Sequence, residues 1–464
     1  MGRNYTEQEV AELIAPLVKR IEQLEAQNKE LQAQLARLQK DSTNSSKPPS
    51  SDVTKPAKPD RGKAKRKPGG QKGHAKHERK LFPPEQVDHC YAYELKDLKD
   101  LEPLNEWRVV QQIELPKKLF IVTEYRARRY RCRRTGRIVT APLPDDVVKP
   151  GLLGPRLSTL VCYLKGVCHT SYRTVQRFFL ETMELDLSVG LLAKVVRRMT
   201  TALNEPYEQL LAALPRQPSL GLDETGLRHR GQGVWVWCAH APGRDGLTCF
   251  VIDESRGSQV IRQMIGPDYG GIIGCDYFSA YRKYLADGEH VTMQFCWAHL
   301  IRDIKFMTGL ADKVTRNFAD RLLKQVRKMF RVIHRRGQLT ANGYARSLTR
   351  IRRKIVDIIR RAPNRDEPNN LAKRFRNHGD GYFTFIDHVD IEPTNNATEQ
   401  QIRFVVLDRK VTQGTKGDIG NRWCERIWST IATCRQRGKP VFAFLFDAIQ
   451  AHNHDKSAPS LIYA

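Results

Sequence analysis

Between Ser219 and Ser255 the chain runs through SLGLDETGLRHR, GQGVWVWCAHA and LTCFVIDES. These are stretches rich in β-branched and aromatic residues, separated by glycine-containing turns, and they predict three antiparallel strands. The next segment, GSQVIRQMI, has helical spacing, and GGIIGCD reads as a buried strand ending in an acid. VTMQFCWAH and a helix beginning LIRDIKF follow. No other part of the chain restricts the fold as tightly.

Three antiparallel strands, a helix, then strands alternating with helices is the order of a ribonuclease-H-like core, first part 216–311 and last part 391–435. The expected class is thus α/β and multidomain. Residues 312–390 interrupt the core as a basic helical insertion. In its first helix Phe318, Leu322, Met329 and Ile333 form an apolar stripe, with Arg321, Lys324, Lys328, Arg331 and Arg335 on a different face. A second helix sets Ile351, Ile355, Ile358 and Ile359 beside Arg346, Arg350, Arg353 and Lys354. The acids that normally intersperse a solvated face are nearly absent there, which favours contact with DNA. Residues 436–464 form a C-terminal helix and tail.

Asp223 lies within the first strand and Asp276 ends the fourth. In such a sheet those strands are neighbours, so the two carboxylates converge although they are far apart in sequence. Glu399, in PTNNATEQQIRF, starts the helix after the insertion and is placed to complete the set. Three hard oxygen donors suit Mg²⁺ or Mn²⁺, with two ions per site about 3.5–4 Å apart. Other readings stay open on spacing alone. Most strand-end acids face water, and Asn396-Ala397-Thr398-Glu399 also fits a capping box with Asn396 as N-cap. Glu224 points to the opposite strand face from Asp223. Trp297 and His299 are either groups that position DNA near the acids or a core tryptophan and a satisfied histidine.

Ahead of this core, Val10, Ile14, Leu17, Ile21, Leu24, Asn28, Leu31, Leu35 and Leu38 alternate in steps of four and three. This predicts a coiled coil over 1–40 that makes a homodimer or larger assembly, with Asn28 at an a position fixing register. Pro16 starts or kinks that helix. A single amphipathic helix packed on its own chain is the alternative. Residues 41–80, dominated by Ser, Pro, Gly and Lys, form a basic flexible arm. Residues 81–150 are expected to be a small β-rich module, with strands at 112–115 and 120–125 leading into a guanidinium strip. That strip runs from Arg126 through Arg128, Arg129 and Arg131 to Arg137, and offers DNA contacts. Residues 151–215 are expected to be helical, with Ser188 as an N-cap and a basic last helix carrying Lys194, Arg197 and Arg198. The arrangement resembles a helix-turn-helix DNA-binding unit.

The formal charge of +27 points to a polyanionic partner, most often nucleic acid. No apolar run approaches the roughly 18 residues of a spanning helix. The first 20 residues carry Glu7, Glu9 and Glu12 and no apolar signal core, and the ten cysteines include no C-x-x-C pair. A cytoplasmic, nucleoid-associated protein is expected.

The segments NSSKPPSSD, GGQKGHAKHERKLFPPEQVD, LDETGLR, CDYFSAY, FCWAHLIRDIKF and NNATEQQIRFVVLDRK occur in order. Over most of its length the chain resembles the DDE transposases of the insertion-sequence-66 group. The resemblance implies that Asp223, Asp276 and Glu399 are the DDE triad of a ribonuclease-H-like domain with a helical insertion before the last acid. It implies a Mg²⁺-dependent transposase that binds the terminal inverted repeats of its element. Such an enzyme hydrolyses the strand at each end and uses the freed 3′-hydroxyl to attack target double-stranded DNA. Asn395, Asn396, Arg403 and Lys410, around the third acid, are then expected to contact DNA. Accessory proteins of the same element are common partners in this group. The family usually carries a four-cysteine zinc module after the Pro-Pro segment. Here ELKDLKDLEPL replaces its first cysteine pair, and YRCRRTG leaves Cys132 with Thr135 at the next ligand position. With Cys90 the only other thiol nearby, zinc is not expected. A structure-selective nuclease of the same fold, or a catalytically silent DNA-binding regulator, would share most of these features.

Overall fold

The architecture comes from a computed structural model that describes residues 7–38, 81–94, 104, 107–144, 147 and 151–462. The basic arm expected over 41–80 lies outside the described residues. Helix α1 (Glu7–Leu38) runs through Pro16 and does not start there. Val10, Ile14, Leu17, Ile21, Leu24, Leu31 and Leu35 along it are exposed, so this apolar face has no cover among the described residues.

The segment 81–144 departs from expectation. Residues 112–115 and 120–125 are not strands. The only ladder there among the described residues pairs β1 (Arg129–Arg131) with β2 (Ile138–Thr140), Tyr130 opposite Val139. None of its described residues is buried. Without a covered face, β-branched composition alone does not hold a strand in a ladder. Instead the Gln111 side-chain amide clamps the backbone of Phe82, accepting from its N–H at 2.7 Å and donating to its carbonyl at 2.9 Å.

From Leu153 to Leu461 one continuous apolar cluster is buried. Helices α2 (Pro155–Gly166), α3 (Tyr172–Met183), α4 (Val189–Ala202) and α5 (Asn204–Ala213) come first. Ser171 and Ser188 cap α3 and α4, accepting from the Thr174 and Leu191 amides. The sheet follows: β3 (Ser219–His229), β4 (Gln232–His240) and β5 (Thr248–Asp253), then α6 (Ser258–Ile265), β6 (Ile272–Cys275), α7 (Ser279–Asp287), β7 (Thr292–Phe295) and α8 (Trp297–Thr308). Arg230 and Gly231 both have positive φ in the two-residue β3–β4 turn, the geometry that matches strand twist. The strand order is β5-β4-β3-β6-β7, with β3, β4 and β5 antiparallel and β6 and β7 parallel to β3.

The insertion is helical: α9 (Lys313–His334), α10 (Ala341–Arg360), α11 (Asp366–His378) and the short α12 (Thr384–Asp387). Phe318, Leu322 and Met329 of α9 are buried, as are Ile351, Ile355 and Ile359 of α10. The chain then returns to the sheet through α13 (Asn396–Thr412), α14 (Asp418–Gln436) and α15 (Val441–Asn453). Helices α2 and α4 pack on α14 and α15. Helix α14 also completes the sheet edge at β5. A strand's free N–H groups recur every second residue, and Thr248, Phe250 and Ile252 donate theirs to the side chains of Thr433, Ser429 and Glu425. Four residues of helix span about 6 Å and two of strand about 6.8 Å, so the two periods keep step.

Helix α13 meets β3 at very close range. A Cβ on Gly221 would lie 1.9 Å from the Thr398 hydroxyl and 2.7 Å from Asn395 Oδ1. Opposite Gly221 in the ladder is Gly274 of β6, and a Cβ there would meet the same Asn395 oxygen at 3.8 Å. The two glycines leave the slot in which the Asn395 side chain sits, donating to the Leu222 carbonyl at 2.8 Å. Gly221→Ala is expected to push α13 off the sheet at a cost of about 1–3 kcal/mol. Thermal denaturation reads this as a lowered midpoint, with partial recovery when Thr398→Ala is added. A Gly221→Ala chain as stable as the parent would contradict the close approach.

Candidate active site

Gly221 stands opposite Gly274 in the parallel ladder, so Asp223 and Asp276, each two residues further on, reach the same level of adjacent strands. Asp276 is the first residue past β6, where its carboxylate accepts from the Phe278 amide at 2.8 Å. The Asp223 carboxylate accepts from the Glu224 amide at 2.9 Å. Glu399 comes from the first turn of α13. The capping box of the rival reading of Glu399 is not formed: Asn395, not Asn396, is the N-cap position, and it makes no side-chain cap. Glu399 reaches the helix start only through its backbone amide, which donates to the Asn395 carbonyl at 3.1 Å. Its carboxylate is therefore left for the site, with Oε1 buried and without a hydrogen-bond partner among the described residues.

Asp223 feels both of the other acids. Burial pushes the Asp223 carboxyl well above its ordinary range, and the charges of Glu224, Asp276 and Glu399 push it further. The Asp276 carboxyl is raised to about 7, by burial first and the Glu224 charge second, against the Phe278 amide, Arg256 and Arg374. Glu224 is buried on the other side of the strand and fully engaged. Its Oε1 accepts from Arg256 Nε and Nη2 at 3.0 and 2.7 Å, and its Oε2 accepts from the Tyr281 hydroxyl at 2.5 Å. Arg256 itself lies between the rings of Trp235 and Phe278, at 4.3 and 3.9 Å.

Helix α8 begins at Trp297, three residues before the expected LIRDIKF start, which puts His299 in its first turn. His299 Nδ1 is 3.7 Å from Glu399 Oε1, and Arg302 Nη2 is 3.8 Å from Oε2. Burial and the Arg302 charge lower the His299 imidazole to about 4, so it is neutral at ordinary pH. Cys296 Sγ, a His299 ring nitrogen and a Glu399 oxygen all lie within 4.8 Å of one another.

The other expected contacts divide by exposure. Arg126, Arg128, Arg129, Arg131, Lys194, Arg197, Asn396, Arg403 and Lys410 are exposed, and Arg198 is half-buried. Trp297 is fully buried and its indole donates to the Tyr382 carbonyl. That is the core alternative, and it offers no indole surface to DNA. Asn395 is buried in the glycine slot, so its amide serves the α13–β3 contact and is not turned to a ligand. Sequence reasoning missed Arg374 of α11. It lies over the Tyr277 ring at 4.5 Å, bonds Asp303 at 3.1 Å, and its charge is felt by Asp276. One arginine among many in a basic insertion carries no local signal. The glycine two residues before each aspartate did carry one. On the insertion, Arg321, Lys324 and Lys328 face Lys354 and Arg361 across a groove of about 410 Å³ whose one acid is Asp357.

A mixed α/β chain that gathers carboxylates at the ends of neighbouring strands and carries a groove lined by cations on its insertion has the make-up of a DNA-processing enzyme. Residues 150–422 match the profile described as the Transposase IS66 family, and the chain belongs to that family. Residues 2–80 match a second profile, a family of unknown function, DUF6444. Among curated relatives, the uncharacterized protein y4jD of Sinorhizobium fredii is 23% identical over 354 residues, which is 69% of this chain and 67% of that protein. The uncharacterized protein y4hP of the same organism is 23% identical over 376 residues, 72% of this chain and 66% of that protein. No helix among the described residues is long and apolar enough to cross a membrane.

An unfolded Asp276 titrates near 3.9, against about 7 in the fold. Its ionisation therefore costs the metal-free fold nothing below about pH 4, progressively more as pH rises, and the full amount above about pH 7. Asp276→Asn is expected to stabilise the fold in EDTA at pH 8 by on the order of a few kcal/mol, read as a raised melting temperature, with no gain at pH 4. Equal midpoints for variant and parent at pH 8 would show that the carboxylate carries no such cost.

Proposed function

We propose that this chain is a DDE transposase with a ribonuclease-H-like catalytic core, which binds the terminal inverted repeats of an insertion sequence. It hydrolyses the DNA strand at the element ends and transfers the 3′-hydroxyl ends into target DNA. The observation that carries the reading is the convergence of Asp223, Asp276 and Glu399. Two stand level on adjacent parallel strands and the third comes from the helix locked against them. Strand order and family membership support the same reading.

Two hard carboxylates, Asp223 and Asp276, raised by burial and neighbouring carboxylate charge, together with the unpartnered Glu399 Oε1 are a donor set suited to divalent cations. Asp223, Asp276 and Glu399 would hold two Mg²⁺ or Mn²⁺ ions, which when bound supply activation of the attacking oxygen and stabilisation of the leaving one. The chain's own residues do the rest. Arg256 and Tyr281 keep Glu224 out of the ligand set by occupying both of its oxygens. Arg302 and Arg374 bring positive charge beside the acids, where phosphates would approach. The basic helices and the strip from Arg126 to Arg137 grip the backbone at a distance. The exposed face of α1 pairs protomers, as the joining of two ends requires.

A strand-transfer assay with pre-cleaved end DNA tests the chemistry. Joined product that needs Mg²⁺ and vanishes in Asp223→Asn is expected. Cleavage without joining would indicate a nuclease, and binding alone a regulator. Neutralising the arginines between Arg126 and Arg137 should weaken DNA binding and flatten its salt dependence by about 0.9 per lost phosphate contact. An unchanged slope would show that this strip does not touch DNA.

A further inference from the structure

Beside the third acid two polar atoms face one another and neither is bonded. His299 Nδ1 and Glu399 Oε1 are both shielded from solvent, are 3.7 Å apart, and have no hydrogen-bond partner among the described residues. An N–H···O bond needs about 2.7–3.2 Å, so the pair stops short of contact by under 1 Å. Buried polar groups without partners are uncommon, and two that point at each other call for a reason.

The surroundings fix the imidazole and leave the carboxylate adjustable. Cys296 Sγ accepts the Asn395 N–H at 3.2 Å, and the Trp297 N–H donates to the Pro393 carbonyl at 2.9 Å. These two bonds fasten the start of α8 to the residues leading into α13. His299 follows one helical turn after Cys296, on the same face. It is thereby held at a set height beside Glu399. The carboxylate has no comparable restraint among the described residues: Arg302 is 3.8 Å from Oε2, and Cys296 Sγ lies within 4.8 Å without bonding it.

We propose that His299 is a positioning residue for the third acid. Its Nδ1–H closes onto Glu399 Oε1 as the carboxylate turns toward Asp223 and Asp276, which leaves Oε2 directed at a divalent cation. The role rests on the two-metal reading above. It also differs from contact with DNA, because the imidazole acts through Glu399. At 3.7 Å no hydrogen bond is made, so removing His299 costs the fold a little packing but no hydrogen bond, and its main effect falls on the loaded state. Partners of this kind that orient a ligating group typically change metal affinity 10–100-fold.

The test is Mn²⁺ binding to the full-length, metal-free protein, followed by the electron paramagnetic resonance of free Mn²⁺. Thermal midpoints are measured with and without the ion. Wild type is expected to bind and Asp223→Asn to lose binding. His299→Ala should bind about 10–100-fold more weakly, with a metal-free midpoint close to wild type. His299→Asn, whose amide nitrogen reaches the Nδ1 position, should recover most of the affinity, and His299→Gln, whose nitrogen reaches the Nε2 position, should not. The Asn and Gln comparison decides the matter even where the alanine variant folds poorly. Wild-type Mn²⁺ affinity in both His299→Ala and His299→Gln would overturn the positioning role alone, provided Asp223→Asn still abolishes binding. A thiolate-to-cobalt charge-transfer band with Co²⁺ that disappears in Cys296→Ser would also overturn it, by making Cys296, His299 and Glu399 a ligand set in their own right. Wild type that takes up no Mn²⁺ would overturn the two-metal reading and this role together.

Discussion

The site depends on how closely a helix can approach a sheet. Thr398 and Asn395 sit where a side chain on Gly221 would otherwise be, with Gly274 in ordinary contact beside them, and this sets the depth and rotation of α13. Asp223 and Asp276 follow those glycines by two residues, on the same faces of their strands. The contact that seats the helix is therefore one step along the strand from the acids it serves. Glu399, four residues after Asn395, is carried into place by the same seating. A larger residue at Gly221 would displace the third acid without touching it.

Charge is distributed to match. Glu224 adds a further negative group beneath the site, yet Arg256 and Tyr281 hold it by both oxygens. A buried acid with complete partners stabilises its surroundings, whereas acids left incomplete have capacity to bind. The difference between Glu224 and Glu399 is one of partners and not of residue type. The cations lie further out, on the insertion groove and the exposed strip around Arg129. The chain thus combines a centre that repels phosphate with separate surfaces that attract it.

Much of this could be read before any coordinates. The five strands of the main sheet fall where alternation and glycine turns put them, and the amphipathic pair α9 and α10 buries the apolar stripes read from its spacing. Burial on one face writes itself into periodicity. Misreadings arose where local pattern and tertiary context diverge. Residues 112–115 and 120–125 have strand composition but no covered face, and they do not pair. Asn396-Ala397-Thr398-Glu399 fits a capping box, yet the close packing of Thr398 and Asn395 against β3 takes the helix start in another direction. Trp297 looked equally fit for surface or core because aromatic residues serve both, and only the Tyr382 carbonyl above it decides. The repeated glycine, one before each aspartate, was the legible sign of the α13 contact and went unread.

The side-chain ladder from α14 has a wider consequence for the sheet. At the opposite edge the Met293 carbonyl of β7 accepts from the Thr384 hydroxyl, and the Gln294 side chain accepts from the Phe385 amide. With β5 answered by Thr433, Ser429 and Glu425, both margins of the sheet are engaged from within the chain. A sheet closed in this way does not recruit a strand from a neighbour. A second copy of the chain would then have to meet this one through helices and loops, which insulates the geometry around the acids from any such contact.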